Sequence, residues 1–173
     1  MNNSIIKILV VFLILFGLTK SINADEPKPS DSHQFNFFSG VFDINTSSKK
    51  SSGLFGIQHS NEDLFRDTFL GKLSPITGLM MTADTSSYFY TGVQAEYKIG
   101  KLNLVPSFAP GLYTMGDGKD LGSPLEFKSE LQLSIDILPG TKLGYSQSHL
   151  SNAGLDDKNP GADSYMFNFM KSF

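Results

Sequence analysis

The sequence predicts an all-β fold: an eight-stranded antiparallel transmembrane β-barrel of the outer-membrane type. Two observations carry this prediction. Apolar and polar residues alternate over long segments, and the loops that join these segments are short at one end and long at the other. Alternation with a period of two places all the apolar side chains on one face of a strand. In a membrane barrel that face contacts lipid, whereas the polar face lines the interior.

The composition fits one domain and excludes several other classes of protein. The chain has 173 residues, no Cys, 18% charged residues and a formal net charge of −3. The length allows one domain. The missing Cys excludes a disulfide scaffold and a thiolate metal site. Because the charge is low and slightly acidic, we expect no nucleic-acid partner.

The first segment of the chain, residues 1–24, has the pattern of a secretory signal peptide. Lys7 supplies a positive charge, and residues 8–18 form an uncharged apolar run. That run is too short for a spanning helix, which needs about 20 residues. Ala24 offers a small residue at the cleavage position. We therefore expect export with cleavage of residues 1–24, leaving a single barrel domain over residues 25–173. An uncleaved N-terminal anchor is the alternative.

Alternation and turn signals divide the remaining chain into eight predicted strands. They are expected near 34–44, 53–60, 69–82, 87–99, 101–114, 124–137, 141–151 and 162–172. In the strand at 87–99, Phe89, Val93 and Tyr97 alternate with polar residues, and Leu102, Leu104 and Phe108 do so in the next. The last strand alternates Tyr165, Phe167 and Phe169 with Ser164 and Asn168.

The clearest alternation lies in the sixth predicted strand. Every odd residue from Leu125 to Ile137 is apolar except Ser129, and the even residues are polar or charged. This segment would extend over roughly 43 Å at about 3.3 Å per residue. Such a length exceeds that of ordinary globular strands and suits a tilted strand that crosses a membrane.

The loops sort into two groups by length. Gly100 and the pair Pro139-Gly140 make tight turns, whereas 45–52, 115–123 and 152–161 are long and rich in Gly, Asp, Ser and Lys. This asymmetry between the two rims is typical of outer-membrane barrels. Side chains fill the interior of an eight-stranded barrel, so we expect no pore. The alternative is a soluble, lipocalin-like barrel with its apolar face inward.

One segment, residues 146–164, concentrates groups that could perform chemistry. His149 and Ser151 lie two residues apart on a predicted strand, so both side chains leave the same face. At this spacing the imidazole could accept the hydroxyl proton as the oxygen attacks. Asp163 returns on the next strand, where a carboxylate could orient the imidazole. The Gly154 N–H and the Asn159 amide are candidates for stabilising an oxyanion.

The position of this pair on the strand points to a lipid substrate. His149 and Ser151 share their face with Leu143 and Tyr145, which is the lipid-facing side of a membrane barrel. A His on that side costs free energy unless a partner satisfies it. A catalytic group aimed at lipid suits a lipid substrate. The competing interpretation is a chance His-x-Ser pair beside a loop that only turns the chain.

These residues also carry a resemblance to a known family. Residues 149–155 (HLSNAGL) and 159–161 (NPG) resemble the active-site segment of the lipid A 3-O-deacylase (PagL) family of outer-membrane acyl hydrolases. Residues 106–113 (PSFAPGLY), 118–122 (GKDLG) and 125–127 (LEF) are similar to that family as well. The resemblance spans most of residues 90–173 and weakens toward the N-terminus.

The resemblance implies a serine esterase in the bacterial outer membrane. It implies a barrel whose Ser–His–acid triad faces the outer leaflet and removes the ester-linked 3-hydroxyacyl chain at position 3 of lipid A, with lipopolysaccharide as the substrate. By position, His149 is the base, Ser151 the nucleophile, and Gly154 and Asn159 the oxyanion candidates. The family needs no cofactor or metal. Two further His residues, His33 and His59, lie far apart in sequence and are expected at the barrel rims.

One position departs from the family pattern. The family acid is a Glu at the position of Asp163, and Asp is one methylene shorter. Asp156 or Asp157 could serve instead. If none of the three reaches the imidazole, we expect a catalytically weak or inactive outer-membrane barrel with a structural or adhesion role. The sequence leaves the oligomeric state open, a homodimer included.

Overall fold

A computed structural model describes residues 32–44, 51–68 and 70–173, without the side chain of Asp67. The predicted signal peptide and most of the loop at 45–52 lie outside the described residues. The strands are β1 (His33–Phe42), β2 (Ser52–Asn61), β3 (Arg66–Thr68), β4 (Gly71–Thr82), β5 (Ser87–Ala95), β6 (Tyr97–Ile99), β7 (Leu102–Thr114), β8 (Leu125–Leu138), β9 (Thr141–Ser151) and β10 (Ala162–Ser172). A 3-10 turn covers Glu62–Leu64. Within these ranges no helix is both long and apolar enough to cross a bilayer.

The strands form one closed antiparallel barrel. Their order is β2-β1-β10-β9-β8-β7-β5-β4-β3, and an additional pairing of β2 with β4 closes the ring. β5 and β6 pair with β7 in one continuous register and form a single spanning strand that is interrupted at Glu96. β3 is a short extension paired with β4. The barrel therefore has eight spanning strands, which confirms the predicted fold.

The two faces of the barrel have opposite polarity. Large apolar side chains are exposed on the outside, among them Phe37, Phe89 and Phe167 with 50%, 57% and 71% of their surface accessible. Buried polar side chains point inward from most strands, including Asn36, Gln58, Gln132, Ser146 and Asn168. The interior also contains a cluster of buried apolar and aromatic side chains toward the long-loop rim, among them Phe42, Ile76 and Tyr88. A continuous apolar exterior is the arrangement of a membrane barrel. The soluble, lipocalin-like alternative, which requires a polar exterior, is therefore wrong.

An ion pair and its hydrogen-bonded neighbours occupy the interior. Lys128 Nζ lies 2.7 Å from Glu130 Oε2, and both side chains are buried. The same ammonium group lies 4.0 Å from the ring centroid of Tyr90. Tyr90 donates a hydrogen bond of 3.0 Å to Gln58 Oε1, and Gln58 Nε2 donates one of 3.2 Å to Gln94. Side chains thus fill the barrel at this level, as expected for eight strands.

The tight turns and long loops named above lie at opposite rims as predicted, but the long connection from β2 to β4 lies at the tight-turn rim and the short turn at 83–86 at the other. The start of β1 and the end of β10 meet at the rim that carries the tight turns, where Phe173 N donates to the His33 carbonyl at 2.8 Å. His33 and His59 also lie at this rim, with Nδ1 and Nε2 3.0 Å apart. The loops at 115–124 and 152–161 lie at the opposite rim. β9 therefore ends, at Ser151, on the side of the long loops.

The buried ion pair yields a test of the fold. Replacing Lys128→Ala would leave the Glu130 carboxylate buried without its counter-charge, which we expect to lower the free energy of unfolding by about 3–5 kcal/mol. Lys98→Ala is the matched control, because the Lys98 side chain is 66% exposed in its pair with Asp136. An exposed pair contributes about 1 kcal/mol or less. Urea unfolding of the detergent-solubilised barrel measures both; equal losses would contradict the described interior.

Candidate active site

The pairing of the last two strands brings an imidazole and a carboxylate together on the outer face. His149 on β9 lies directly opposite Asp163 on β10. His149 Nδ1 is 2.8 Å from Asp163 Oδ1, and the two side chains are 50% and 26% exposed. The shorter acid therefore reaches the ring despite the missing methylene. Asp156 and Asp157 are exposed in the following loop, and neither is hydrogen-bonded to His149 in the described structure.

Ser151, the last residue of β9, lies on the same outward face and is half-buried. Because Nδ1 of His149 is paired with Asp163, Nε2 is the ring nitrogen that remains for a hydroxyl. The described residues include no hydrogen bond between Ser151 and His149. Nucleophile–base contacts are often loose without substrate and tighten when it binds. The structure thus brings two of the three groups into contact and places the third two residues away on their face.

The neighbouring strand adds a second hydroxyl beside the imidazole. Ser129, the polar exception among the outward residues of β8, lies directly opposite His149. Phe127 lies opposite Ser151 and stacks on Phe108, with ring centroids 6.0 Å apart. The imidazole therefore has a carboxylate on one side and a serine on the other. The stacked pair of Phe127 and Phe108 lies beside Ser151.

A buried side chain, Asn152, fixes the loop that follows Ser151. Asn152 is fully buried and donates through Nδ2 to the carbonyls of Leu121 and Lys158, at 3.2 and 2.8 Å. Its Oδ1 accepts from Gly154 N at 3.0 Å. These bonds tie the loop at 152–161 to the loop at 115–124. Sequence reasoning gave Asn152 no role, although it belongs to the segment 149–155 that carries the family resemblance.

Three groups next to Ser151 are possible donors to an oxyanion. The predicted donor Gly154 N–H is already bonded to Asn152 Oδ1. Asn159 accepts from Asn152 N through Oδ1 at 3.1 Å, so its Nδ2 is the end left to donate. Ala153, with a φ of 55°, and Gly154, with 73°, make the tight turn after the strand. The N–H of Ala153 donates to none of the described residues.

A glycine gives the imidazole its space. Gly161 has a φ of 60°, and a Cβ built on it would lie 2.9 Å from Cε1 and 3.2 Å from Nε2 of His149. The chain returns to β10 at this point and passes along the edge of the ring. Any side chain here would push against the imidazole, so Gly161 is part of what sets the ring's position.

Charged residues are paired in the long loops at the same rim as the candidate site. Lys158 Nζ is 2.5 Å from Asp120 Oδ2, and Gly122 N–H also donates to Asp120. Lys158 and this N–H hold the pKa of the Asp120 carboxyl below its usual range. Lys119 is paired with the buried Asp43 at 2.7 Å. An open cleft of about 500 Å³ lies between the two long loops, with Met115, Lys119, Lys158 and Pro160 among its lining residues.

The described ranges contain no group of three or more metal-ligating side chains. His33 and His59, which are distant in sequence, are in contact at the opposite rim and take no part in the site. A base oriented by a carboxylate, next to a hydroxyl and the unpaired N–H of Ala153, is suited to acyl transfer.

Comparison with known proteins adds a family and a fold. A family model described as Lipid A 3-O-deacylase (PagL) matches residues 42–172. A crystal structure of the outer membrane enzyme PagL is similar, with a TM-score of 0.58 and 19% identity over 81% of this chain and 99% of that one. A de novo designed transmembrane β-barrel has a TM-score of 0.55 and 10% identity over 86% and 99% of the two chains. No curated protein matches significantly.

The role of Asn152 as an anchor can be tested directly. Asn152→Ala would leave the carbonyls of Leu121 and Lys158 without their donor, a loss of about 1–3 kcal/mol for buried groups. Because these bonds hold the loop, we expect faster proteolysis within 152–161 while the barrel itself stays folded. Limited proteolysis followed by mass spectrometry locates the cuts. The Asp157→Ala variant, which is changed at an exposed position of the same loop, should be cleaved at the same rate as the wild type.

Proposed function

The chain belongs to the lipid A 3-O-deacylase (PagL) family, and on this premise we propose that it is a serine esterase of the outer membrane. The proposed reaction removes the ester-linked 3-hydroxyacyl chain at position 3 of lipid A. The observation that carries this proposal is the 2.8 Å contact between His149 and Asp163 on the outward face, beside Ser151. The matched region, residues 42–172, includes all of these side chains.

In the proposed mechanism His149 is the general base and Ser151 the nucleophile. Nε2 of His149 accepts the proton of the Ser151 hydroxyl as Oγ attacks the ester carbonyl carbon. Asp163 accepts a hydrogen bond from Nδ1–H, which fixes the tautomer and stabilises the imidazolium that forms. This step requires the Ser151 hydroxyl to come within hydrogen-bond distance of Nε2, a contact that the described structure lacks.

Backbone and amide donors would stabilise the tetrahedral intermediate. The candidates are the unpaired N–H of Ala153, two residues after Ser151, and Nδ2 of Asn159, whose Oδ1 accepts from Asn152 N. Gly154 N–H joins them if it leaves Asn152 Oδ1. Collapse of the intermediate gives an acyl-Ser151 ester, and the imidazolium protonates the departing sugar oxygen. Water, activated by His149, then releases the 3-hydroxy fatty acid and restores the serine.

The location of the site favours a substrate that is already in the membrane. His149 is half exposed on a face that carries mostly apolar side chains, such as Tyr145 and Phe167. An acyl chain can lie along that face while the sugar stays at the rim with the long loops. Lipid A in the outer leaflet would have this orientation and would approach from the side. No lid is needed for entry.

One observation favours a second candidate, a barrel with weak or no activity and a structural or adhesion role. The hydroxyl of Ser151 is not hydrogen-bonded to His149 in the described structure. If substrate does not bring these groups together, the contact between His149 and Asp163 serves only to satisfy a polar pair on a lipid-facing surface. An activity measurement separates the two candidates.

The nucleophile is tested with two serines that both lie beside the imidazole. Ser151→Ala should abolish deacylation, because it removes the oxygen that attacks the ester in the proposed mechanism. The barrel should remain folded. Ser129→Ala is the matched control, since Ser129 lies opposite His149 and has no step in the mechanism. Mass spectrometry of lipid A incubated with each purified protein reports the loss of a 3-hydroxyacyl chain.

The assignment of the nucleophile would be overturned if lipid A lost its 3-hydroxyacyl chain in the presence of the Ser151 variant. It would also be overturned if only the Ser129 variant failed to remove that chain. An inactive wild type would support the second candidate. Gel mobility before and after heating verifies that each variant is a folded barrel, so that inactivity is not confused with failure to fold.

The fit of the imidazole against Gly161 gives an independent prediction. Gly161→Ala should reduce kcat by roughly 100-fold, because a displacement of about 1 Å at a reacting group has an effect of that size. Gly100→Ala is the control: its φ is 64° and nothing lies within 4 Å of the added Cβ. Both variants bear the left-handed backbone cost of about 1 kcal/mol. Comparable kcat values for the two would contradict the crowding of His149.

A further inference from the structure

We propose that Gln147 binds the 3-hydroxyl group of the acyl chain that is removed and so makes the site selective for 3-hydroxylated chains. This inference rests on the proposed function. Gln147 lies on β9, two residues from His149 and on the same outward face, further from the long-loop rim. Its neighbours across the two strand pairs are Leu131 on β8 and Tyr165 on β10.

The position of this amide is unusual for the barrel. The side chain of Gln147 is exposed on the outside and forms no hydrogen bond with any described residue. Most carboxamides in the other spanning strands point inward and are buried, including Asn36, Gln58, Gln94, Gln132 and Asn168. The interior thus takes up polar amides, and Gln147 is left facing the acyl chains of the membrane.

An unsatisfied amide in this environment is costly. Lipid offers no hydrogen-bonding group in the hydrocarbon layer, so each unpaired polar group there raises the free energy. On the far side of the barrel the outward hydroxyls of Thr77 and Thr91 avoid this cost. They lie 3.3 Å apart, and Thr91 also donates to the Ile76 carbonyl at 3.0 Å. Gln147 lacks such an internal solution and requires a partner from the membrane.

The spacing along β9 fits the hydroxyl of a bound acyl chain. Ser151 and Gln147 are four positions apart on β9, which is about 13 Å of strand. The ester carbon would lie about 3–3.5 Å from the serine oxygen, and the hydroxyl lies two carbons further along the chain. The extended glutamine side chain and a hydrogen bond of about 2.9 Å cover the remaining distance. A carboxamide can both donate to and accept from a hydroxyl.

The test compares two substrates that differ in one oxygen. They are synthetic acylated glucosamine phosphates with ester chains of equal length, one with and one without the 3-hydroxyl. We expect the wild type to prefer the hydroxylated ester by roughly 10- to 100-fold in kcat/KM, the discrimination of one buried hydrogen bond. Gln147→Leu should lose this preference, with kcat/KM falling for the hydroxylated substrate only.

Two controls keep the result specific. Thr77→Val removes an outward hydroxyl on the opposite side of the barrel and should retain the wild-type preference. The substrates also carry an amide-linked 3-hydroxyacyl chain, whose hydroxyl could be the group that Gln147 binds. A third substrate keeps the hydroxyl of the ester chain and lacks that of the amide-linked chain. We expect the wild type to cleave it as it cleaves the fully hydroxylated substrate. If Gln147→Leu does not fold, Gln147→Ala provides the same comparison of substrates.

An unchanged preference in an active, folded Gln147 variant would overturn the inference and leave the proposed esterase intact. The absence of any preference in the wild type, or one that follows the amide-linked chain, would overturn it too. A wild type that cleaves none of the substrates would overturn the proposed function and this inference together.

Discussion

The requirement that governs this protein is that no backbone N–H or C=O can remain unpaired in hydrocarbon. Pairing of β1 with β10 and of β2 with β4 meets that requirement, because it leaves no open edge in the spanning sheet. Once the ring is closed, each strand has one side in lipid and one in the interior. The apolar exterior and the burial of polar groups in the interior follow from this division. So does the position of the candidate site on the outside.

A polar site on such a surface has to be nearly self-sufficient. His149 and Asp163 satisfy each other across two strands, and they lie near the rim, where the loops at 115–124 and 152–161 supply further polar groups. Asn152 connects these two loops from a fully buried position. The chemistry is thus arranged at the end of a rigid strand, with the loop behind it held by side-chain hydrogen bonds rather than by a packed core.

Much of this architecture could be predicted from the order of residues alone. Alternation and turn signals together located every spanning strand, and the tight turns at Gly100 and Pro139-Gly140 were separated correctly from the long loops at 115–123 and 152–161. The hairpin between β9 and β10 was enough to place Asp163 opposite His149. Other features depend on registers and contacts that no local pattern encodes. The position of Ser129 beside His149 depends on the β8–β9 register, which shifts between Asp136 and Leu138. The crowding of the imidazole by Gly161 depends on the course of a loop. The break at Glu96 had no signal in the alternation.

The interior ion pair has a consequence for how the protein reaches its final state. Lys128 and Glu130 belong to the same strand, two residues apart, and their side chains meet at 2.7 Å. Opposite charges carried by one segment can neutralise each other before any neighbouring strand arrives. Both charges of the pair are therefore present as soon as β8 enters the membrane. Charge balance at Lys128 does not depend on a residue from another strand.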